Sequence, residues 1–239
     1  MKYLDLTFSD PERNLACDEA LLEWHEGQKR DDGLLRIWQP QNHFVVLGHS
    51  NRLEFEANEA ACRAEAIPIL RRISGGGTVL QGPGCLNYSL ILPCDAQPLK
   101  NLAATFRYVL ERHSRLLTSL TGMDICVDGI SDLTLAGRKF SGNAQYRKAR
   151  YTLVHGTFLL SLDLSLLDRC LPLPSRQPEY RKNRPHNDFV TNLEVDGSRL
   201  RYGLRKVWKA GEILADVPLD DVKSLAKNRY GFEEWTRKF

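Results

Sequence analysis

The 239-residue chain has no C-x-x-C pair, no Gly-Lys-Ser/Thr phosphate loop, no internal repeat and no low-complexity tract. Its six cysteines (Cys17, Cys62, Cys85, Cys94, Cys126 and Cys170) are scattered, which leaves a zinc knuckle or a thioredoxin-type redox centre without its paired thiols. Most of them read as small buried hydrophobes. A glycine run does occur, but no Gly-Lys-Ser/Thr follows it, so a Walker loop is excluded. No apolar run approaches the ~18–20 residues that cross a bilayer, and Met1-Lys2-Tyr3-Leu4-Asp5 lacks the apolar core of a signal peptide; a cytoplasmic protein with no membrane partner is expected. A formal charge of +3 is too small to imply a nucleic-acid partner, because such proteins concentrate far more basic charge on one face. With 42% hydrophobic and 26% charged residues, what remains is a globular chain, expected to form one domain over 1–239.

Periodicity divides the chain into alternating helices and strands. Ser9-Asp10-Pro11-Glu12 predicts a helix start with Ser9 as the cap, running to about Glu26. Leu34–Trp38 and Phe44–Gly48 read as two strands joined by a turn at Pro40 and Asn42, and Glu54–Ala66 as one helix stopped by Pro68. Strands are expected at Ile69–Arg71, Thr78–Leu80 and Leu86–Leu92, then a long amphipathic helix over Asn101–Leu120. Leu133–Leu135 and Thr152–Leu160 follow as strands, with a glycine- and lysine-containing segment between them. Pro172–Pro185 reads as an irregular surface loop, and helix formers dominate from Leu200 onward.

Chemistry concentrates in three segments. Arg71-Arg72-Ile73-Ser74-Gly75-Gly76-Gly77-Thr78-Val79 lies between two predicted strands; consecutive glycines let a ligand lie against bare backbone, and an arginine beside them can pair with a phosphate or carboxylate. A glycine-rich hairpin with solvated arginines would carry the same residues. In Ser131-Asp132-Leu133-Thr134-Leu135-Ala136-Gly137-Arg138-Lys139-Phe140-Ser141-Gly142-Asn143-Ala144, Asp132 and Lys139 flank a strand and a turn, so a carboxylate and an ammonium can share a cleft; a solvated basic turn is the plainer reading. The third segment, His155-Gly156-Thr157, interrupts an apolar strand, where a lone histidine is more often structural than catalytic.

Taken together and in this order, Arg-Arg-x-Ser-Gly-Gly-Gly-x-Val, Asp-Leu with Gly-Arg-Lys-x-Ser-Gly-x-Ala, and His-Gly-Thr resemble the lipoate-protein ligase family, and the resemblance runs from Asn14-Leu15-Ala16 to Thr191-Asn192-Leu193. It implies an α+β fold of the biotin/lipoate ligase catalytic-domain type: a mixed sheet, a smaller second sheet and flanking helices. The implied activity uses ATP and Mg2+ to convert lipoate or octanoate to an acyl-adenylate and passes the acyl group to a lysine of a lipoyl domain. Lys139 would bridge the acyl carbonyl and phosphate. Arg72 would hold phosphate or carboxylate, with Ser74, Gly75, Gly76, Gly77, Thr78 and Val79 against the adenylate and tunnel mouth. Asp132 would lie near adenine or magnesium, Ser141, Gly142 and Ala144 would complete the lysine motif's side of the site, and His155 and Gly156 would line the acyl end.

The sequence departs from the family pattern in places. Gly129-Ile130-Ser131-Asp132 stands where many ligases have Gly-Arg-Asn-Asp, and an asparagine expected near Cys85 is displaced or supplied by Asn87. The tail after Asn192 is too short for a C-terminal accessory domain, so a separate accessory protein is one expectation. Single-domain relatives include octanoyltransferases, which take octanoate from acyl carrier protein through a cysteine thioester without ATP; Cys126, then Cys85, would be the nucleophile. A non-catalytic binding protein using its basic clusters is the third reading. Arg147, Lys148, Arg150, Arg181 and Arg184 would give a basic rim for an acidic lipoyl domain.

Overall fold

The computed structural model describes residues 1–28, 32–94 and 99–239. In chain order the elements are β1 (Lys2–Asp5), α1 (Pro11–Gln28), β2 (Leu34–Trp38), β3 (Phe44–Leu47), α2 (Leu53–Glu56), α3 (Glu59–Ala64), β4 (Ile69–Arg71), β5 (Val79–Gln81), β6 (Cys85–Pro93) and α4 (Leu102–Thr121). There follow β7 (Ile125–Asp128), β8 (Asp132–Leu135), β9 (Arg138–Arg147), β10 (Tyr151–Leu159), α5 (Ser165–Cys170), α6 (His186–Phe189), α7 (Gly197–Val207), β11 (Glu212–Ile213), α8 (Leu219–Leu225), a π-helical turn Ala226–Tyr230, and α9 (Glu233–Thr236). Eight strands form one mixed sheet in the order β11-β1-β2-β6-β10-β9-β8-β7, and β4-β3-β5 form a smaller one. The fold is the expected α+β arrangement of two sheets with flanking helices.

Strand alternation sorts side chains to two sides of the large sheet. One side carries Leu35, Ile37, Leu90, Val154 and Phe158 into a core covered by α4 and α7. Those helices turn Val109, Leu110, Leu117, Leu200 and Leu204 inward, and each such burial is worth about 1.5–3 kcal/mol. The other side carries Leu34, Trp38, Ile91 and Leu153 beneath α1 and α8. Small residues of α1, Ala16, Cys17 and Ala20, are fully buried, so this helix lies close against the sheet. The small sheet packs through Val45, Leu47 and Leu80 on α3 and α5.

Several local expectations are corrected. Helix α1 begins at Pro11, which puts Asp10 rather than Ser9 at the cap position; Ser9 Oγ instead bonds Asp10 Oδ1 at 3.2 Å. Strands β2 and β3 are not hairpin partners: β2 pairs with β1 and β6, and β3 with β4 and β5. The helix expected over Glu54–Ala66 breaks in two because Ala57 is extended and Asn58 caps α3 through Ala61 N. The glycine- and lysine-containing segment is the ten-residue strand β9, whose glycines and charges hide its alternation. Within Pro172–Pro185, Arg181 is buried rather than on the surface.

Candidate active site

Two cross-strand rows floor a cavity between the sheets. Arg36, Ser89, His155 and Ala144 are register partners across β2, β6, β10 and β9, with Arg36 itself buried beneath α1 and off the wall, and Trp38, Asn87, Thr157, Gly142 and Asp132 form the next row on the same side. The loop between β4 and β5, the glycine run, forms part of the wall above. The cavity measures about 450 Å³, enough for a nucleotide-sized or medium-chain ligand.

A bulge aims the lysine. Asp132 pairs with Gly142 and Leu133 with Ser141, but Thr134 pairs with Lys139, leaving Phe140 as the extra residue on β9. Without that slip, Lys139 and Gly142 would point to opposite sides; with it they share the side of Asp132. Lys139 Nζ lies 2.8 Å from Asp132 Oδ1, while Tyr180 OH donates to Asp132 Oδ2 at 2.7 Å. Burial and the Asp132 carboxylate push the Tyr180 phenol well up, so it stays a donor. A Cβ at Gly142 would come within 2.9 Å of Lys139 Cε and Nζ, so glycine there leaves the lysine its path.

The glycine loop is shaped by Arg72. Its Nη2 donates to Gly75 O at 2.7 Å and Gly77 O at 2.8 Å, and its Nε to Ser74 Oγ at 3.0 Å. Gly76 sits at φ +96°, where a side chain would be strained and would meet Arg72 Nη2. Burial pulls the Arg72 guanidinium down to about 10, so it remains a cation at neutral pH. Among the described residues no carboxylate pairs with it, nor with the buried Arg181 on the same wall.

Ser74 begins a buried chain of polar contacts. Its Oγ is 2.6 Å from His155 Nε2, His155 Nδ1 is 3.2 Å from Asp18 Oδ2, and Arg36 Nη1 donates to Asp18 Oδ1 at 2.7 Å. Burial alone would raise the Asp18 carboxyl, but Arg36 and then His155 outweigh it and hold it below the usual range. Gly156 is bare because Tyr88 OH donates to Asn143 Oδ1 across it, and a Cβ would fall 1.8 Å from that oxygen.

Most of the residues expected at the site reach the cavity wall: Lys139 and Asp132; Arg72, Gly76, Gly77, Thr78 and Val79; Asn87; Ser141, Gly142 and Ala144; His155 and Gly156. Ser74 is fully buried behind the loop and Gly75 is exposed, neither on the wall. Asn87 belongs to a hydrogen-bonded ring: Asn87 Nδ2 donates to Gln81 Oε1, Gln81 Nε2 to Thr157 Oγ1, and Thr157 Oγ1 to Asn87 Oδ1. Sequence reading missed Asp18, Arg36, Gln81 and Tyr180. Their partners lie 18 to 137 positions away for Asp18 and 48 for Tyr180, so only a polar residue on an otherwise buried helix could have hinted at Asp18.

The cysteines stay away. Cys85 is buried and Cys126 sits exposed on edge strand β7; no cysteine is on the cavity wall. Burial pushes Cys17 up to about 11 and Cys85 to about 12, and Cys126 is raised by its partial burial and by Asp124 and Asp128. The expected basic rim is partly neutralised by Glu23 and Glu26, and Arg181 is buried. Lys148 pairs with Glu23, Arg150 Nη2 donates to Glu26 O, Arg184 Nη2 to Gly137 O, Arg147 Nη2 to Leu99 O, and Arg181 Nε to Arg184 O.

A nucleotide fits the donor set. Besides the charge of the two guanidiniums that lack a carboxylate, Thr78 Oγ1 and Trp38 Nε1 are buried on the wall without a protein partner, as expected of groups that meet a polar ligand. Asp132 meets Lys139 and Tyr180 at its two oxygens, and among the described residues no group of three acidic, histidine or cysteine side chains forms a metal cage. Among the described residues no helix is long and apolar enough to cross a membrane.

Known structures share this architecture. A lipoate-protein ligase A crystal structure bound with ATP superposes with a TM-score of 0.81 at 24% identity, covering 99% of this chain and 98% of that one. The bipartite lipoate protein ligase of Thermoplasma acidophilum, studied with its E2 lipoyl domain, gives 0.80 at 23%, covering 99% and 95%. The class defined is thus a lipoate-ligase-type catalytic fold. Residues 10–199 match the model for the lipoyl protein ligase A/B catalytic domain, and the chain belongs to that family of enzymes. Its relatives carry two kinds of name. A protein of Aeropyrum pernix named as a lipoate-protein ligase A is 30% identical, covering 89% of this chain and 76% of its own. The octanoyltransferase LipM of Bacillus subtilis is 28% identical, covering 99% and 98%.

Proposed function

We propose that this protein is an ATP-dependent ligase that activates lipoate or octanoate and attaches it to a lysine of a lipoyl-domain protein. The observation that carries this reading is the composition of the cavity wall: two buried guanidiniums with no carboxylate partner among the described residues, the Lys139 ammonium, and no thiol. A carboxylate oxygen of the acid attacks the α-phosphorus of ATP, the bond to the pyrophosphate leaving group breaks, and an acyl-adenylate results. The acceptor amine then attacks the activated carbonyl, AMP departs with the bonding electron pair, and the amine's proton passes to solvent. Lys139 holds the oxygens on which charge grows, an arrangement that favours the transition state over the ground state. Arg72 acts mainly by holding the glycine carbonyls, so that the loop presents its remaining backbone to the ligand. The apolar Leu15, Val46 and Val79 on the same wall suit an acyl chain.

A second reading has its own support, the near full-length similarity to octanoyltransferase LipM. It needs a thiolate at the acyl carbonyl, and the raised, distant thiols oppose it. The test is direct. Octanoate or lipoate with ATP and magnesium should release pyrophosphate and acylate a purified lipoyl domain. An acyl-cysteine mass on the intact protein, formed from octanoyl acyl carrier protein without ATP, would overturn the ligase reading.

A further inference from the structure

Arg71, next in sequence to the loop-shaping Arg72, is fully buried and has no carboxylate partner among the described residues. All of its hydrogen bonds go to main-chain carbonyls, and they join two distant segments. Nε and Nη2 reach Trp235 O and Thr236 O of α9 at 3.1 Å and 2.6 Å, while Nη1 reaches Gly48 O, His49 O and Asn51 O at 2.9, 2.9 and 2.7 Å. Trp235 Nε1 returns a bond to Arg71 O at 2.9 Å, so the clasp is closed from both ends.

The strap held by Nη1 is itself laid against the glycine loop. His49 N donates to Ser74 O at 2.8 Å, and a Cβ on Gly48 would fall 2.1 Å from Gly76 O, so nothing larger than glycine lets the two backbones lie this close. The carbonyls at the C-terminal end of a helix carry partial negative charge, which suits a guanidinium that lacks a carboxylate. The cavity wall is therefore connected, through one side chain, to a helix that lies beyond residue 199, where the family match ends.

We propose that α9, acting through Arg71 and the Gly48–Asn51 strap, is a positioning element for the glycine loop, and that Arg71 is a positioning residue rather than a catalytic one. Its effect on turnover rests on the ligase reading above; its effect on the loop does not. Three full-length variants separate the cases: Arg71→Lys, which keeps the charge but cannot span both segments; Trp235→Pro, which breaks α9 at the residue whose carbonyl is used; and Trp235→Phe, which keeps that carbonyl and loses only the return bond. Amide hydrogen exchange is read at His49, whose N–H is bonded to Ser74 O of the loop, and, as a control, at Leu90 and Val154 in the sheet core.

Arg71→Lys and Trp235→Pro are expected to speed His49 exchange at least tenfold with core exchange unchanged, and Trp235→Phe to stay within about threefold of the natural protein. In acid-dependent ATP–pyrophosphate exchange, KM for the acid should rise about tenfold while kcat falls less than threefold. Unchanged His49 exchange in both disruptive variants, or equal acceleration at His49 and in the core, would overturn the proposal. If the natural protein shows no pyrophosphate exchange, the ligase reading fails and the His49 measurement alone decides this one.

Discussion

Lys139 Nζ rests 2.8 Å from Asp132 Oδ1 across the face of Gly142, and the three come together only because Phe140 is bulged out of the β8–β9 register. The ammonium that the site would use is held by a carboxylate on a neighbouring strand, so its position is fixed before any ligand arrives.

Replacing that ammonium should remove chemistry and not binding. Lys139→Ala is expected to slow acyl transfer by roughly a hundredfold to a thousandfold, as loss of a preorganised donor does. Single-turnover transfer to a purified lipoyl domain measures this, and a natural rate in the variant would exclude Lys139 from the mechanism.

Gly142→Ala separates placement from folding. The new Cβ crowds the flexible end of Lys139 and makes only ordinary contact with Asp132 Oδ1, so thermal stability should hardly change while turnover falls, since a misplacement of about 1 Å can cost about a hundredfold. Gly156→Ala should behave differently. Its Cβ meets Asn143 Oδ1 and the Tyr88 ring in the core, and overpacking of this kind costs about 1–3 kcal/mol, visible in a urea melt.

Thiol chemistry should be silent in function. Iodoacetamide is expected to modify the exposed Cys126 first, slowly at neutral pH and faster as pH rises, because burial and the neighbouring Asp124 and Asp128 raise that thiol. Intact-mass analysis alongside activity checks this; loss of transfer in step with Cys126 alkylation would return the thioester reading to favour.

Asp18 should be felt in both stability and acid sensitivity. Asp18→Ala leaves Arg36 buried without its carboxylate, a loss of about 3–5 kcal/mol. Because the folded carboxyl lies below its unfolded value of about 3.9, its contribution is full above that pH and is lost as pH falls toward the lower folded value. Melting temperature against pH should therefore drop below about pH 4 in the natural protein, and that step should be much smaller in Asp18→Asn.

Much of this molecule was legible one residue at a time. The glycine run, Lys139, Asp132 and His155 are conspicuous because each breaks a local pattern: bare backbone between strands, or a polar residue inside an apolar one. Strands such as β6 and β10 follow from their short apolar runs, and the helix α4 from the period of its apolar residues, since burial of one helix face is a local demand. The family itself could be reached from three short motifs.

Only the tertiary structure decided which sheet each strand joined, since pairing depends on partners far along the chain. It also decided that Phe140 would bulge and turn Lys139 toward Asp132, that Arg181, expected on the rim, would be buried, and that Arg71 would bind a helix 164 positions away. Each of these is fixed by where an unsatisfied charge or carbonyl finds its partner once the chain is compact. Buried polar groups must be paired, and a linear sequence states the need without naming the partner.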